Sequence, residues 1–330
     1  MICLVTGATG FVGSAVARKL IAAGHEVRVL VRAGSDRRNL AGLDATPVTG
    51  SLDDHTTLAP ALKGCEALFH VAADYRLWVP EPAKMYRTNV DGTVALMEAA
   101  LAAGVSRIVH TSSVATLGLL PGGADADEAT PVSLDMMVGP YKRSKYLSEE
   151  AVSRLVRERQ LPAVIVNPST PVGPRDVKPT PTGRTIVEAA TGRMPAFVDT
   201  GLNFAHVDDV ADGHLLAFDK GRIGERYILG GENLTLRAFL AIIAGLSGRK
   251  PPTVSLPIDL LMPLAYGAEL YARVTGKEPF VTRDGLTLAR KKMFFTIAKA
   301  RRELGYAPRP AEDGIRDAID WFRANNYLAG

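Results

Sequence analysis

The eight residues Thr6-Gly7-Ala8-Thr9-Gly10-Phe11-Val12-Gly13 follow directly on the apolar run ICLVT and lead straight into FVGSAVARKLIAAG, whose apolar residues recur at helical spacing. Glycines at such a strand-to-helix junction allow a tight turn. They let the backbone approach an anion, which then sits on the free N–H groups and positive dipole end of the helix. A glycine triplet alone is a weak sign. Here it opens a strand–helix–strand unit of about thirty residues, the context that makes it a dinucleotide-binding turn. Gly7, Thr9, Gly10, Phe11, Val12 and Gly13 are therefore expected to contact a nucleotide cofactor.

The same alternation continues downstream. ICLVT, EVRVLV, TPVTG, EALFHVAA, RIVHTSS and AVIVNPS read as strands, separated by FVGSAVARKLIAAG, HTTLAPALKG and helical segments from 81 to 104 and from 141 to 158. Continuously apolar strands alternating with helices predict a parallel sheet covered on both faces, a doubly wound α/β fold of the Rossmann type. After Pro168 the rhythm gives way to proline-rich loops (PSTPVGPRDVKPTPTG), helices and short strands such as NFAHV and RYILG. A dinucleotide-binding domain over 1–170, with some later segments returning to it, and a smaller, mostly helical substrate lobe over 171–330 are expected.

Composition excludes several classes. The 330 residues are 47% hydrophobic, enough for a sizeable core, and 39 basic against 35 acidic residues leave a net charge of only +4. So balanced a charge does not call for nucleic acid as partner. Two cysteines, Cys3 and Cys65, both in apolar runs, suit a reducing compartment without disulfides. MICLVTGATG lacks the basic start of a signal peptide. The apolar stretch 257–276 carries Asp259, Glu269, Arg273 and an internal proline, too polar and broken to span a bilayer. A cytoplasmic chain is expected, with peripheral membrane contact left open. No His, Cys, Asp or Glu cluster has metal-ligand spacing.

The end of the second strand reads on the cofactor's ribose. A free 2′-hydroxyl calls for Asp or Glu there, whereas this chain has Arg32, with Arg37 and Arg38 close behind. A guanidinium fork matches phosphate oxygens, so NADP(H) is favoured, with NAD(H) the alternative. Asp53, in GSLDD after the third strand, is placed to accept from an adenine amino group. The fourth and fifth strands end in HVAAD (70–74) and HTSSVATLG (110–118). Small residues there let a nicotinamide ring pass, and the hydroxyls offer hydrogen bonds to a substrate oxygen. Ser113 is the candidate, Ser112 its competitor.

GPYKRSKYLSE (139–149) completes this end. Pro140 suits the first turn of a helix, so Tyr141 and Lys145 share one face a turn apart. An ammonium nearby favours the phenolate, and a tyrosine so assisted can relay a proton in alcohol–carbonyl interconversion. His70 and His110, on strands, read as core residues.

The ordered series TGATGFVG, LDD, HVAA, Asn89-Val-Asp-Gly-Thr, TSS, Tyr141-x-x-x-Lys145, NPSTPVGPRD, HVDDVADG and KARRELGYAPRP resembles the extended short-chain dehydrogenase/reductases over essentially the whole chain. The resemblance implies Tyr141 as general acid/base, Lys145 as its modulator and ribose anchor, and Ser113 as the substrate's hydrogen-bond partner. It implies Asn89 as a supporting residue of the site. Cofactor contacts are implied at Leu52, Asp53, Val71, Ala72, Ala73, Thr111 and Pro168, besides Tyr141 and Lys145. Within that superfamily NPSTPVGPRDVKPTPTGR, HVDDVADGHLLA, YILGGENLTL and RKKMFF look closest to hopanoid-associated sugar epimerases, a group also resembling dihydroflavonol reductases. The implied substrate is sugar-like or hopanoid-linked, the reaction epimerisation or reduction, and the assembly a homodimer through helices 81–104 and 141–158. A nucleotide sensor that has lost its chemistry is the reading from another class.

In the second lobe, Arg175, Lys178 and Arg184 in loop 173–184 read equally as a phosphate contact or a solvated loop. Helix 257–276 reads as lobe core, with an apolar entrance for a lipid-linked substrate as the alternative. His206 and Asp208-Asp209 read as part of the join between lobes.

Overall fold

The computed structural model describes residues 1–76, 78–277 and 279–328. Its centre is a seven-stranded parallel sheet of β1 (Ile2–Thr6), β2 (Glu26–Val31), β3 (Ala45–Thr49), β4 (Ala67–His70), β5 (Arg107–Thr111), β6 (Ala163–Pro168) and β10 (Arg226–Leu229), in the order β3-β2-β1-β4-β5-β6-β10. The strand order reverses between β1 and β4. The crevice beyond the carboxyl ends of these strands is where such sheets bind ligands.

Each strand sends successive side chains to opposite faces, and both faces are dry. On β1, Cys3 and Val5 enter one core while Leu4 enters the other; Val109 and Ile108 of β5 divide the same way. The first core is closed by α1 (Phe11–Ala22), α7 (Val207–Lys220) and α11 (Ala298–Leu304), through Val16, Leu20, Val210 and Leu304. The second is closed by α2 (Leu58–Leu62), α4 (Gly92–Ala102) and α5 (Gly139–Arg159), through Leu62, Leu96, Met97 and Val152. Burial on both faces is why the strands read as continuous apolar runs.

Between α2 and α4 lie α3 (Pro82–Tyr86) and a π-helical turn, Arg87–Asp91, so the helical segment 81–104 is three pieces in place of one. RYILG, assigned by its irregular surroundings to the second lobe, supplies β10 and pairs in parallel with β6.

The smaller lobe has its own core. A three-stranded sheet, β7 (Thr170–Val172), β9 (Gly201–His206) and β11 (Glu232–Thr235), packs with α6 (Pro181–Ala190), α8 (Leu236–Ser247) and α12 (Ala311–Ala324). Phe204 and Phe239 stack there at 4.2 Å between ring centroids. A short pair, β8 (Ala196–Phe197) and β12 (Val254–Ser255), precedes α9 (Ile258–Thr275) and α10 (Arg283–Ala289).

Helix α9 departs from the expected lobe core. Its buried residues are Ala265, Ala268, Glu269 and Ala272, whereas Leu260, Leu264 and Leu270 are exposed and Leu261 is half-buried. A sequence rich in Leu, Met and Tyr does not reveal which face is turned in, because the inward face here holds the small residues.

Candidate active site

The glycine loop leaves no room for side chains. Gly7 has a positive φ of 75°, and a Cβ there would lie 2.7 Å from the Ala72 nitrogen; at Gly13 it would lie 2.2 Å from the Gly7 carbonyl oxygen. The loop thus packs against both the end of β4 and its own helix. Gly10 caps α1 without a side-chain hydrogen bond, and no acidic residue occupies the first turn. The N-terminal N–H groups and dipole therefore face the crevice unopposed, which fits a pyrophosphate. Thr9 is held through its carbonyl, which accepts from Asn39 Nδ2 at 3.2 Å, while Phe11 and Val12 pack on the core beneath.

Arg32 and Arg37 are exposed, and their side chains have no hydrogen-bond or ion-pair partner among the described residues, although Arg32 lies in the field of Asp74. Arg38 is clamped by Asp36, with Nη2 to Oδ2 at 2.7 Å. Beyond β3, Leu52 is buried against Gly92, and Asp53 accepts from Thr88 Oγ1 at 2.5 Å. Val71, Ala72 and Ala73 are half-buried after β4, and the Ala72 N–H donates to Thr6 Oγ1 at 3.1 Å.

At the reacting end, Pro140 sits in the first turn of α5, and Tyr141 and Lys145 follow one turn apart. The Tyr141 phenol lies close enough to Ser113 for the serine hydroxyl to favour its ionised form. Ser113 Oγ also accepts from the Ala115 N–H at 3.1 Å, which aims its own proton at the phenol or at an incoming oxygen. Ser112 Oγ is buried without a hydrogen-bond partner. Lys145 is buried and its ammonium donates to the Thr111 carbonyl at 2.8 Å. The Thr111 hydroxyl turns the other way, to His214 Nε2 at 2.9 Å, so only its backbone faces the site. Pro168 is buried at the end of β6.

Asn89 lies in the π-helical turn, a distortion that re-aims side chains and recurs at functional sites. Its Oδ1 accepts from Asp74 N at 2.7 Å, and its Nδ2 donates to Asp74 O at 2.9 Å and to Ser144 Oγ at 3.0 Å. One side chain thus joins the loop after β4 to the catalytic helix between Tyr141 and Lys145. Ser144 escaped the sequence reading, as did Glu149 and Asn167. Glu149 Oε2 accepts from Thr116 Oγ1 at 2.8 Å and Asn167 Nδ2 at 2.9 Å, and Oε1 pairs with Arg226 at 3.0 Å; Asn167 also donates to Ser113 O at 3.1 Å. The available signal was helical spacing, since Glu149 lies one turn beyond Lys145.

Burial pushes the Tyr141 phenol above its ordinary pKa, opposed by the Ser113 hydroxyl and reinforced by Tyr75. Burial also lowers Lys145 to about 8, with Glu149 acting against the shift. The ammonium is therefore charged below about pH 8 and lost above it. kcat/KM for the nucleotide, which reports groups of the free protein, is expected to fall up to about tenfold per pH unit above that point. A flat profile to pH 9.5, or the same limb in Lys145→Met, would remove the lysine from this role.

His70 and His110 are buried, and desolvation lowers both, His70 to about 3. His206 Nε2 meets Asp317 at 3.0 Å, and its Nδ1 accepts from Asp208 N and Arg309 Nη2, each at 3.0 Å. Among the described residues no group of His, Cys, Asp and Glu could hold a metal. Arg175 pairs with Asp208 and so stitches the two ends of the lobe join.

A glycine-turn crevice facing a Ser–Tyr–Lys cluster defines a nicotinamide-dependent oxidoreductase of the extended short-chain type. Residues 3–230 match the NAD-dependent epimerase/dehydratase family, and the chain belongs to that family. A Synechocystis protein provisionally named dihydroflavonol 4-reductase is 41% identical over 98% of this chain and 95% of its own. Sterol demethylase protein B of Methylococcus capsulatus is 37% identical over 99% of this chain and 100% of its own. The crystal structure of gox2253 superposes with a TM-score of 0.90 at 58% identity, covering 99% of each chain.

Proposed function

We propose that this enzyme reduces a carbonyl to a carbinol on the sugar-like or otherwise polar part of a lipid-linked substrate, such as a hopanoid side chain, with NADPH as cofactor. The observation that carries the chemistry is Tyr141 one turn before Lys145 on α5, with the lysine fixed by the Thr111 carbonyl at 2.8 Å and Ser113 beside the phenol, at the open end of the glycine cradle. A bound nicotinamide dinucleotide supplies the hydride. Ser113 holds the substrate oxygen, Tyr141 gives it a proton, and Lys145 anchors the ribose. Asn89 and Glu149 keep these groups in register from behind.

One feature favours reduction over epimerisation. The exposed pair Arg32 and Arg37 at the end of β2 suits a 2′-phosphate. The relative named for sterol demethylation supports an apolar, polycyclic substrate frame, which sterols and hopanoids share. A homodimer through α4 and α5, which pack side by side on one face of the sheet, is part of this reading; sedimentation then gives twice the 35.2 kDa chain mass.

Identifying the nucleotide released on denaturation tests the direction of chemistry. An empty site that takes up NADPH reversibly supports the reductase, and tightly retained NAD would instead establish an epimerase. Replacing Arg32 and Arg37 together by glutamate is expected to weaken NADPH about 10- to 100-fold, the worth of one or two charge-assisted hydrogen bonds, and to leave NADH unchanged. Equal losses for both nucleotides in a fluorescence titration would take the ribose phosphate away from these arginines.

A further inference from the structure

Helix α9 is built inside out. Ala265, Ala268 and Ala272, with Glu269, form its inward face, and Glu269 is fixed there by Arg283, from N at 2.7 Å and Nε at 2.8 Å. The outward face carries Leu260, Leu264, Leu270, Tyr271 and Val274, between 49% and 82% exposed, and Phe280 continues it at 79%. On α9, Leu260, Leu264, Tyr271 and Val274 follow one another at intervals of four, seven and three residues and Leu270 flanks them, so they share one face about 21 Å long. Of the 13 large hydrophobic side chains exposed among the described residues, seven lie between 260 and 280, so this is a patch and no scatter of surface residues.

We infer that α9 lies in the plane of an anionic lipid surface and docks the substrate lobe onto it. Charge selects this occupant. Between 258 and 292 six basic residues face four acidic ones. Asp259 and Glu269 are already paired with Arg290 and Arg283. Arg273 and Lys277 are exposed at the C-terminal end of the stripe, Tyr271 lies within it, and Tyr266, with Arg283 over its ring at 4.7 Å, stands at its margin. An apolar stripe rimmed by cations and tyrosines matches the boundary between acyl chains and anionic headgroups. A second copy of the helix fits less well. Paired in parallel it sets Arg273 and Lys277 against themselves, and paired antiparallel it offers them only Asp259, which Arg290 holds. No described helix is long and apolar enough to cross a membrane, so α9 lies on the surface.

The segment that follows α9 adjoins the reacting end. A Cβ on Gly139, two residues before Tyr141, would lie 2.7 Å from Asp284 Oδ2 at the start of α10, and Lys142 Nζ reaches Met293 Sδ at 3.8 Å. Docking brings the crevice to where an amphipathic substrate resides; that consequence rests on the lipid-linked substrate proposed above, while the docking itself does not.

The full chain is sedimented with phosphatidylcholine vesicles and with vesicles containing about one-third phosphatidylglycerol. Co-sedimentation with the anionic vesicles, weakened by salt, is expected. Leu264→Glu with Leu270→Glu is expected to lower the partition constant by about tenfold or more, with nucleotide affinity and solution mass unchanged. Arg273→Glu with Lys277→Glu, which spares the stripe, is expected to abolish the preference for anionic vesicles. The inference is overturned if the native protein stays in the supernatant with both vesicle types or if the leucine variant partitions equally. It is likewise overturned if that variant halves the solution mass, which would make a second copy the occupant. Nucleotide binding and turnover in the same preparations report separately on the proposed reaction.

Discussion

Tyr141→Phe is expected to lower kcat for hydride transfer by about 10²- to 10⁴-fold, the usual contribution of a positioned general acid, while nucleotide affinity stays within about twofold. The substitution removes one oxygen, which lies beside Ser113. The ring remains half-buried in the first turn of α5, so packing is kept. Lys145 is held by the Thr111 carbonyl and does not depend on the phenol. Single-turnover rates at saturating nucleotide isolate the chemical step. Full activity in the variant would pass the proton relay to another group, and absence of turnover in the native protein with intact binding would favour a nucleotide sensor.

Gly13→Ala is expected to fail earlier in the sequence of events. A methyl 2.2 Å from the Gly7 carbonyl oxygen cannot be accommodated by a side-chain rotation, because the obstacle is backbone. Either α1 retreats from β1 or the turn opens, at an overpacking cost of about 1–3 kcal/mol. Both movements pull the helix N–H groups away from the pyrophosphate. Nucleotide affinity is therefore expected to fall about 10- to 100-fold, the loss of hydrogen bonds to a charged group. Denaturant unfolding and a nucleotide titration measure the two effects. Unchanged affinity would show that the phosphates do not rest on this turn.

The two variants separate the halves of the site, and the sequence disclosed those halves unequally. The nucleotide half is contiguous: turn, helix start and strand end lie within residues 6–32, so its geometry follows from local spacing. The reacting half is assembled from β5, α5 and the π-helical turn, segments up to 56 residues apart in sequence from Asn89 to Lys145. Tyr141 and Lys145 were legible because both lie on one helix. The choice between Ser112 and Ser113 was less so, because both follow β5 and their nearness to Tyr141 is set across elements, with Ser112 buried and Ser113 beside the phenol. Glu149 and Asn167 look like ordinary surface-type residues until the fold buries them against each other.

The chain's sequence by itself determined the parallel doubly wound sheet, the glycine turn and the Tyr–Lys pair, since each rests on periodicity or on residues a few positions apart. Tertiary structure decided three things that no local pattern contains. It returned RYIL to the main sheet as β10. It buried the Tyr141 phenol, whose pKa is raised because desolvation depends on everything packed around a group. It also turned Leu260, Leu264 and Leu270 of α9 outward, with three alanines and the paired Glu269 on the buried side.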